Sequence, residues 1–129
     1  MKQLIAWLMA MVLSLGVVQA EEGLNDEKPF ADTHIIMQVS DAAPAHYQAV
    51  LDISNNLTKR YGQEMIDIEV NAFGAGVPMM FAEDSKFAGR IASLQEHGVR
   101  FYVCGNTLDT LERKHHKRPE ILPGVEMAQ

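Results

Sequence analysis

The sequence predicts an α/β protein with a mainly parallel sheet and helices packed on its faces. Short apolar runs of strand type alternate with longer runs whose apolar residues recur at helical spacing. The order is strand, helix, strand, helix, strand, helix, strand, and such alternation is typical of parallel strands joined by right-handed crossovers. The length suits one small domain, which we place at residues 33–129.

The first predicted strand covers residues 34–39, with apolar side chains on both faces. Pro44 suits the first turn of the helix that follows, and Gly62 suits its C-terminal end. Between them, apolar residues recur at helical spacing, which predicts that one stripe of the helix faces the core. The stripe consists of Val50, Ile53, Leu57 and Tyr61, and Ala49 and Leu51 widen it.

The second predicted strand covers residues 65–73, where apolar and polar residues alternate strictly. Alternation predicts one solvated face, and we expect this strand to lie near a sheet edge. Ser85 is the predicted cap of the second helix. The apolar members of that helix are Phe87, Ile91 and Leu94.

The third strand is predicted at residues 99–103, the third helix at about 107–117 and a last strand at 125–127. Cys104 lies where the third strand meets the third helix. Unpaired backbone N–H groups and the helix dipole at that junction favour the thiolate, which is the nucleophilic form of cysteine. Two other roles stay open: a small buried apolar residue, or one half of an intermolecular disulfide.

All strands of a parallel sheet end on the same rim, where open α/β sheets bind ligands. Asp41 lies at this rim, either as an acidic group of the site or as the cap of the helix that follows. The Gly74–Gly76 segment is either a weak phosphate-binding turn or an ordinary tight turn. Asn106 and Thr107 either direct N–H groups at the sulfur or cap the helix. The predicted binding residues are Asp41, Gly74, Gly76, Gly105, Asn106 and Thr107.

Residues 1–20 have the pattern of a secretory signal peptide: Lys2, an apolar stretch, and a small residue at Val18 and at Ala20. We therefore predict export to the periplasm and a flexible leader at residues 21–32. An uncleaved anchor is the alternative, but the apolar stretch is short for a span of about 20 residues. After cleavage we expect no stable membrane insertion.

The charge balance is acidic, with a formal net charge of −6 for the whole chain. This argues against general nucleic-acid binding, and we expect no nucleic-acid partner. One cysteine excludes an intrachain disulfide framework. His115 and His116 point about 100° apart on a helix and chelate one metal poorly. We predict no metal site and no cofactor.

Four sequence segments together are similar to the DsrE/DsrF-like family, in particular to its exported bacterial members. The similarity extends from His34 to Val125. The segments are Gln-Val-Ser-Asp at 38–41, Glu-Val-Asn-Ala-Phe-Gly-Ala-Gly at 69–76, Gly-Val-Arg-Phe-Tyr-Val-Cys-Gly-Asn-Thr at 98–107 and Leu-Pro-Gly-Val at 122–125.

The resemblance implies a flavodoxin- or Rossmann-like three-layer α/β/α fold and assembly into homotrimers or hexamers. It implies that Cys104 carries sulfane sulfur as a persulfide, received from and passed to a sulfur compound or partner protein. Relatives continue into one more helix and strand, so we expect a sheet that lacks an edge strand. The rival hypothesis is a non-catalytic oligomeric module that binds a small ligand or a protein at the same rim.

Overall fold

A computed structural model describes residues 27–83 and 85–129, so the predicted signal peptide and the first half of the leader, residues 21–26, lie outside the described residues. The predicted α/β class is confirmed: four parallel strands form one sheet in the order β1-β2-β3-β4. The elements in chain order are β1 (Thr33–Val39), α1 (Pro44–Tyr61), β2 (Ile66–Ala72), a 3-10 helix (Gly74–Met80), α2 (Ala88–Glu96), β3 (Arg100–Cys104), α3 (Gly105–His115) and β4 (Glu126–Ala128).

The core lies between one face of the sheet and the helices. Right-handed crossovers between strands in sequential order carry each connection to the same side. The arrangement is consistent with a flavodoxin- or Rossmann-like three-layer fold, in which the described helices supply one helical layer. Strand residues of the core are Val39, Ile66, Ile68, Val70, Ala72, Phe101 and Val103, and helix residues include Leu51, Met79, Ile91 and Leu108.

The face of the sheet that is turned away from the core carries polar side chains. The alternation in β2 therefore does not indicate an edge strand. β2 lies between β1 and β3, so its predicted place near a sheet edge is wrong. Asp67, Glu69 and Asn71 alternate with apolar residues because they lie on the face turned away from the core. Asp67 is only 3% exposed, and Arg100 of β3 donates two hydrogen bonds to its carboxylate, at 2.7 and 3.3 Å.

The predicted stripe of α1 is confirmed at Leu51 and wrong at Ile53 and Tyr61, and the predicted cap of α2 is wrong. The buried residues of α1 are Tyr47, Leu51, Ser54 and Thr58, whereas Ile53 and Tyr61 of the predicted stripe are about half exposed. The sequence pattern missed this because Ser54 and Thr58 donate their hydroxyls to backbone carbonyls one turn earlier and so can be buried. Ser85 does not cap α2, whose N-cap is Phe87.

The 3-10 helix brings the loop after β2 against the end of β1. Gly76 is buried there, and a Cβ atom at this position would lie 2.1 Å from the Val39 carbonyl oxygen. Only glycine allows this approach. No helix within the described ranges is both long and apolar enough to cross a bilayer.

Candidate functional site

Cys104 is the last residue of β3 and the N-cap residue of α3. Its backbone is extended, with φ −67° and ψ 116°, so the chain turns into the helix directly after it. The side chain is half-buried and has no disulfide partner. The thiol is therefore accessible at the C-terminal rim of the sheet, next to the first N–H groups of a helix.

The first turn of α3 places three donor groups near the Cys104 sulfur. The Thr107 hydroxyl, and after it the backbone amides of Thr107 and Asn106, favour the thiolate and lower the pKa of the thiol. The Thr107 hydroxyl is the largest cause. Partial burial and the nearby Asp109 carboxylate act in the opposite direction and raise the pKa, but the donors outweigh them.

Gly74 orients the hydroxyl that contributes most. Its backbone amide donates to Thr107 Oγ1 at 3.1 Å, across 33 residues of sequence. A hydroxyl that accepts this bond keeps its own proton available for the sulfur. Gly74 has φ +54°, which a residue with a side chain adopts less readily. The loop after β2 thereby completes the site that β3 and α3 begin.

A shallow cavity of about 470 Å³ opens beside this hydrogen-bond network. Thr107, Thr110 and Lys114 line it from one side of α3, at spacings of three and four residues. Sequence analysis missed Thr110 and Lys114, although this spacing from Thr107 was a signal that could have identified them. The remaining lining residues are Gly74, Ala75, Asn106 and Leu111.

The structure does not bring every predicted site residue to the sulfur. Asp41 follows β1, two strands from β3, which corresponds to about 10 Å across the sheet. Its carboxylate accepts the Ala43 amide at 2.9 Å and lies 2.6 Å from His46 Nδ1. The Ala43 hydrogen bond, and then His46, lower the pKa of Asp41. These contacts hold the turn before α1, but the N-cap residue is Ala43 and no side chain caps this helix, so the predicted cap role is wrong.

Gly76 and Gly105 have packing roles. Gly76 sits against the end of β1, and Gly105 faces β4, where a Cβ atom would lie 3.4 Å from the Ala128 carbonyl oxygen. Neither glycine lines the cavity next to Thr107, and Cys104 does not line it either. Among residues 27–83 and 85–129, no three histidine, cysteine or acidic side chains are grouped as a metal ion would require.

Replacing Thr107 with valine should move the pH midpoint of Cys104 alkylation to a higher value. The change keeps the shape of the side chain but removes the strongest donor to the thiolate. The midpoint is measured as the rate of iodoacetamide labelling against pH. Thr110→Val is the matched control, because the Thr110 hydroxyl donates to the Asn106 carbonyl and not to the sulfur. Equal midpoints for wild type and Thr107→Val would contradict the assigned hydrogen bond.

Comparisons with known proteins establish the fold and nothing finer. No family model matches the chain, and no curated protein does. Among solved structures, the chain is similar to a protein of unknown function, MTH1491, from Methanobacterium thermoautotrophicum. The TM-score is 0.66 and the sequence identity 24%, over 76% of this chain and 83% of that chain. This likeness supports the α/β architecture.

Proposed function

We propose that this protein belongs to the DsrE/DsrF-like group and carries sulfane sulfur as a persulfide on Cys104. The observation that supports this most is the thiol itself: it is half-buried at the junction of β3 and α3, where the donor groups of Thr107 and Asn106 lower its pKa. A thiolate that is both accessible and stabilised is the form that reacts with sulfur donors. Export and assembly into a trimer or hexamer belong to the same proposal, through residues 1–20 and the family resemblance.

The proposed reaction needs no oxidant. The Cys104 thiolate attacks the outer sulfur of a donor such as thiosulfate, a new S–S bond forms, and the donor's own S–S bond breaks. Sulfite leaves with the electron pair of that bond, and Cys104 holds the transferred sulfur as a persulfide. An acceptor thiolate then attacks the outer sulfur of the protonated persulfide, takes it away and returns Cys104 as a thiolate.

The site supplies what the two transfers require. Cys104 is the nucleophile in the first transfer and the leaving group in the second, and a lowered thiol pKa makes it a better leaving group. The hydrogen bonds from Asn106 and Thr107 stabilise negative charge on the sulfur each time it is released. Lys114 lines the same cavity as Thr107 and gives this side of α3 a positive charge, which favours the approach of anionic donors.

Incubation of the purified protein with thiosulfate or polysulfide should add one sulfur atom to Cys104. Mass spectrometry of the intact protein and of the peptide that contains Cys104 measures the addition, and Cys104→Ser should show none. An unmodified Cys104 after incubation with either donor would contradict sulfur carriage. That result would favour the rival hypothesis, a module that binds a ligand or protein at the same rim.

The Thr107→Val variant makes this experiment sharper. Loss of a hydrogen bond to a charged sulfur lowers the thiolate fraction about tenfold at acidic pH. The more basic thiolate is intrinsically about threefold more reactive, so loading should slow by about threefold at low pH and accelerate at high pH. The plots of loading rate against pH for wild type and Thr107→Val should therefore cross. A crossing is expected only if the hydroxyl acts on the sulfur, because general damage to the fold would slow loading at every pH.

A further inference from the structure

The outer edge of β1 has the features of an unprotected sheet edge. Among residues 27–83 and 85–129, no strand pairs with this side of β1. The seven residues Thr33–Val39 include no lysine, arginine, acid or proline, which are the residues that usually block edge pairing. The opposite edge is formed by β4, which has only three residues and so offers little edge to pair with.

The core is incomplete beside this edge. Ile35 and Met37 point toward the core but are only half-buried, and Ile36 on the other face is 60% exposed. Apolar side chains on an edge strand gain burial when a further strand pairs with it. Within the described part of the chain, both the main-chain groups and the apolar side chains of this edge are therefore open.

The exposed side of α1 lies above the same edge. Asp52 of α1 pairs with Arg90 of α2, which identifies the side of α1 that faces α2. Helical spacing places Val50, Ile53, Leu57 and Tyr61 on the other side, over the outer edge of β1. Ile53 is 47% exposed and Tyr61 is 49% exposed. These four residues and the outer edge of β1 form one continuous surface, which we call the β1–α1 edge.

We propose that the β1–α1 edge is a homodimer interface, in which β1 pairs antiparallel with β1 of a second copy about a two-fold axis at Ile36. This register uses the full length of the strand and is self-complementary. Ile36 lies opposite Ile36, Ile35 opposite Met37, and His34 opposite Gln38. Apolar residues meet apolar residues, no two charged residues lie opposite each other, and the core face of each sheet continues into that of the other.

The spacing of the helices supports the same partner. α1 contacts both β1 and β2, so it lies above the space between them. In the proposed dimer the two α1 helices are separated by two strand spacings, about 9.6 Å. Packed helices lie 8–10 Å apart, so the apolar side of α1 would meet its own copy at normal contact distance.

The size of the surface predicts how tightly the copies bind. The strand is about 23 Å long and the helix about 27 Å, which gives on the order of 500 Å² per copy. A standard interface covers about 800 Å² per partner. Main-chain hydrogen bonds between the strands add to the apolar contact, and we expect a weak dimer whose population depends on protein concentration.

Sedimentation of the purified protein across a concentration series tests the proposal, with Ile53→Lys as the disrupting variant. Ile53 lies near the two-fold axis, so the variant places two lysines close together and should weaken the dimer at least tenfold. Met127→Lys is the matched control, because Met127 is 53% exposed and lies in β4 at the opposite edge of the sheet. It should leave the dimer unchanged. Circular dichroism verifies that both variants fold, and Tyr61→Lys replaces Ile53→Lys if that variant does not.

Amide hydrogen exchange locates the interface independently. Amides of β1 should become more protected as the concentration rises, while those of β4 should not. A hexamer that contains two-fold axes can include this pair, but a trimer without them cannot. A monomer at every concentration, a plain trimer, or an assembly that Ile53→Lys leaves intact would each overturn the proposal. None of these results depends on the chemistry of Cys104.

Discussion

Replacing Gly76 with alanine should destabilise the protein by about 3 kcal/mol or more. The added Cβ would lie 2.1 Å from the Val39 carbonyl oxygen, 2.5 Å from its carbonyl carbon and 3.0 Å from the Ser40 amide nitrogen. All three are backbone atoms at the end of a strand that pairs with β2 along its length. They cannot move aside without breaking the ladder, so the 3-10 helix has to separate from the sheet.

Thermal unfolding followed by circular dichroism measures this effect. A loss of about 3 kcal/mol in a domain of this size corresponds to a Tm lower by on the order of 15 °C. Gly89→Ala is the matched control, because Gly89 lies in α2 with no heavy atom within 4 Å of an added Cβ. It should stabilise the protein by about 0.5–1 kcal/mol, because alanine favours the helix. Equal Tm values for Gly76→Ala and wild type would mean that the close approach is absent.

The same substitution connects the fold with the site. Gly76 and Gly74 belong to one 3-10 helix, and Gly74 donates the hydrogen bond that orients the Thr107 hydroxyl. If the helix separates from β1, that hydrogen bond should weaken as well. Gly76→Ala is therefore expected to raise the pH midpoint of Cys104 alkylation in whatever fraction remains folded, whereas Gly89→Ala should not change it.

Replacing Arg100 with methionine should cost about 3 kcal/mol of stability. Asp67 is 3% exposed, and its carboxylate accepts two hydrogen bonds from the Arg100 guanidinium. The shorter one joins Arg100 Nη2 to Asp67 Oδ2 at 2.7 Å. Methionine fills much of the same volume but leaves the buried carboxylate without its bidentate partner. His34 Nδ1 lies 3.4 Å from the same carboxylate, but a single long contact does not replace two bonds from a guanidinium.

Urea denaturation of a double-mutant cycle separates the ion pair from the packing. Asp67→Leu combined with Arg100→Met should recover most of the lost stability, because an apolar pair of similar volume needs no charge compensation. Arg90→Met is the surface control. Its partner Asp52 is exposed, so the expected cost is below about 1 kcal/mol. If Arg100→Met and Arg90→Met cost the same, the Asp67 pair is not buried in solution.

The element order and the position of the thiol followed from the sequence alone. Periodicity and turn residues are local, so they predicted each strand and helix to within about two residues at most ends. Because parallel strands end on one rim, the sequence also predicted that Gly74 and Thr107 lie on the same side of the sheet as Cys104. The hydrogen bonds from Asn106 and Thr107 to the sulfur agree with that prediction.

Only the tertiary structure determined which faces of the strands and helices are buried. The alternation in β2 indicated a solvated face, but the strand order shows that this strand is interior and that its polar residues face away from the core. The apolar stripe of α1 suggested burial, yet Ile53 and Tyr61 lie over an open edge. The physical reason is that side-chain period determines which residues share a face, whereas burial depends on strand order and on distant contacts such as Asp67 with Arg100, which no local pattern encodes.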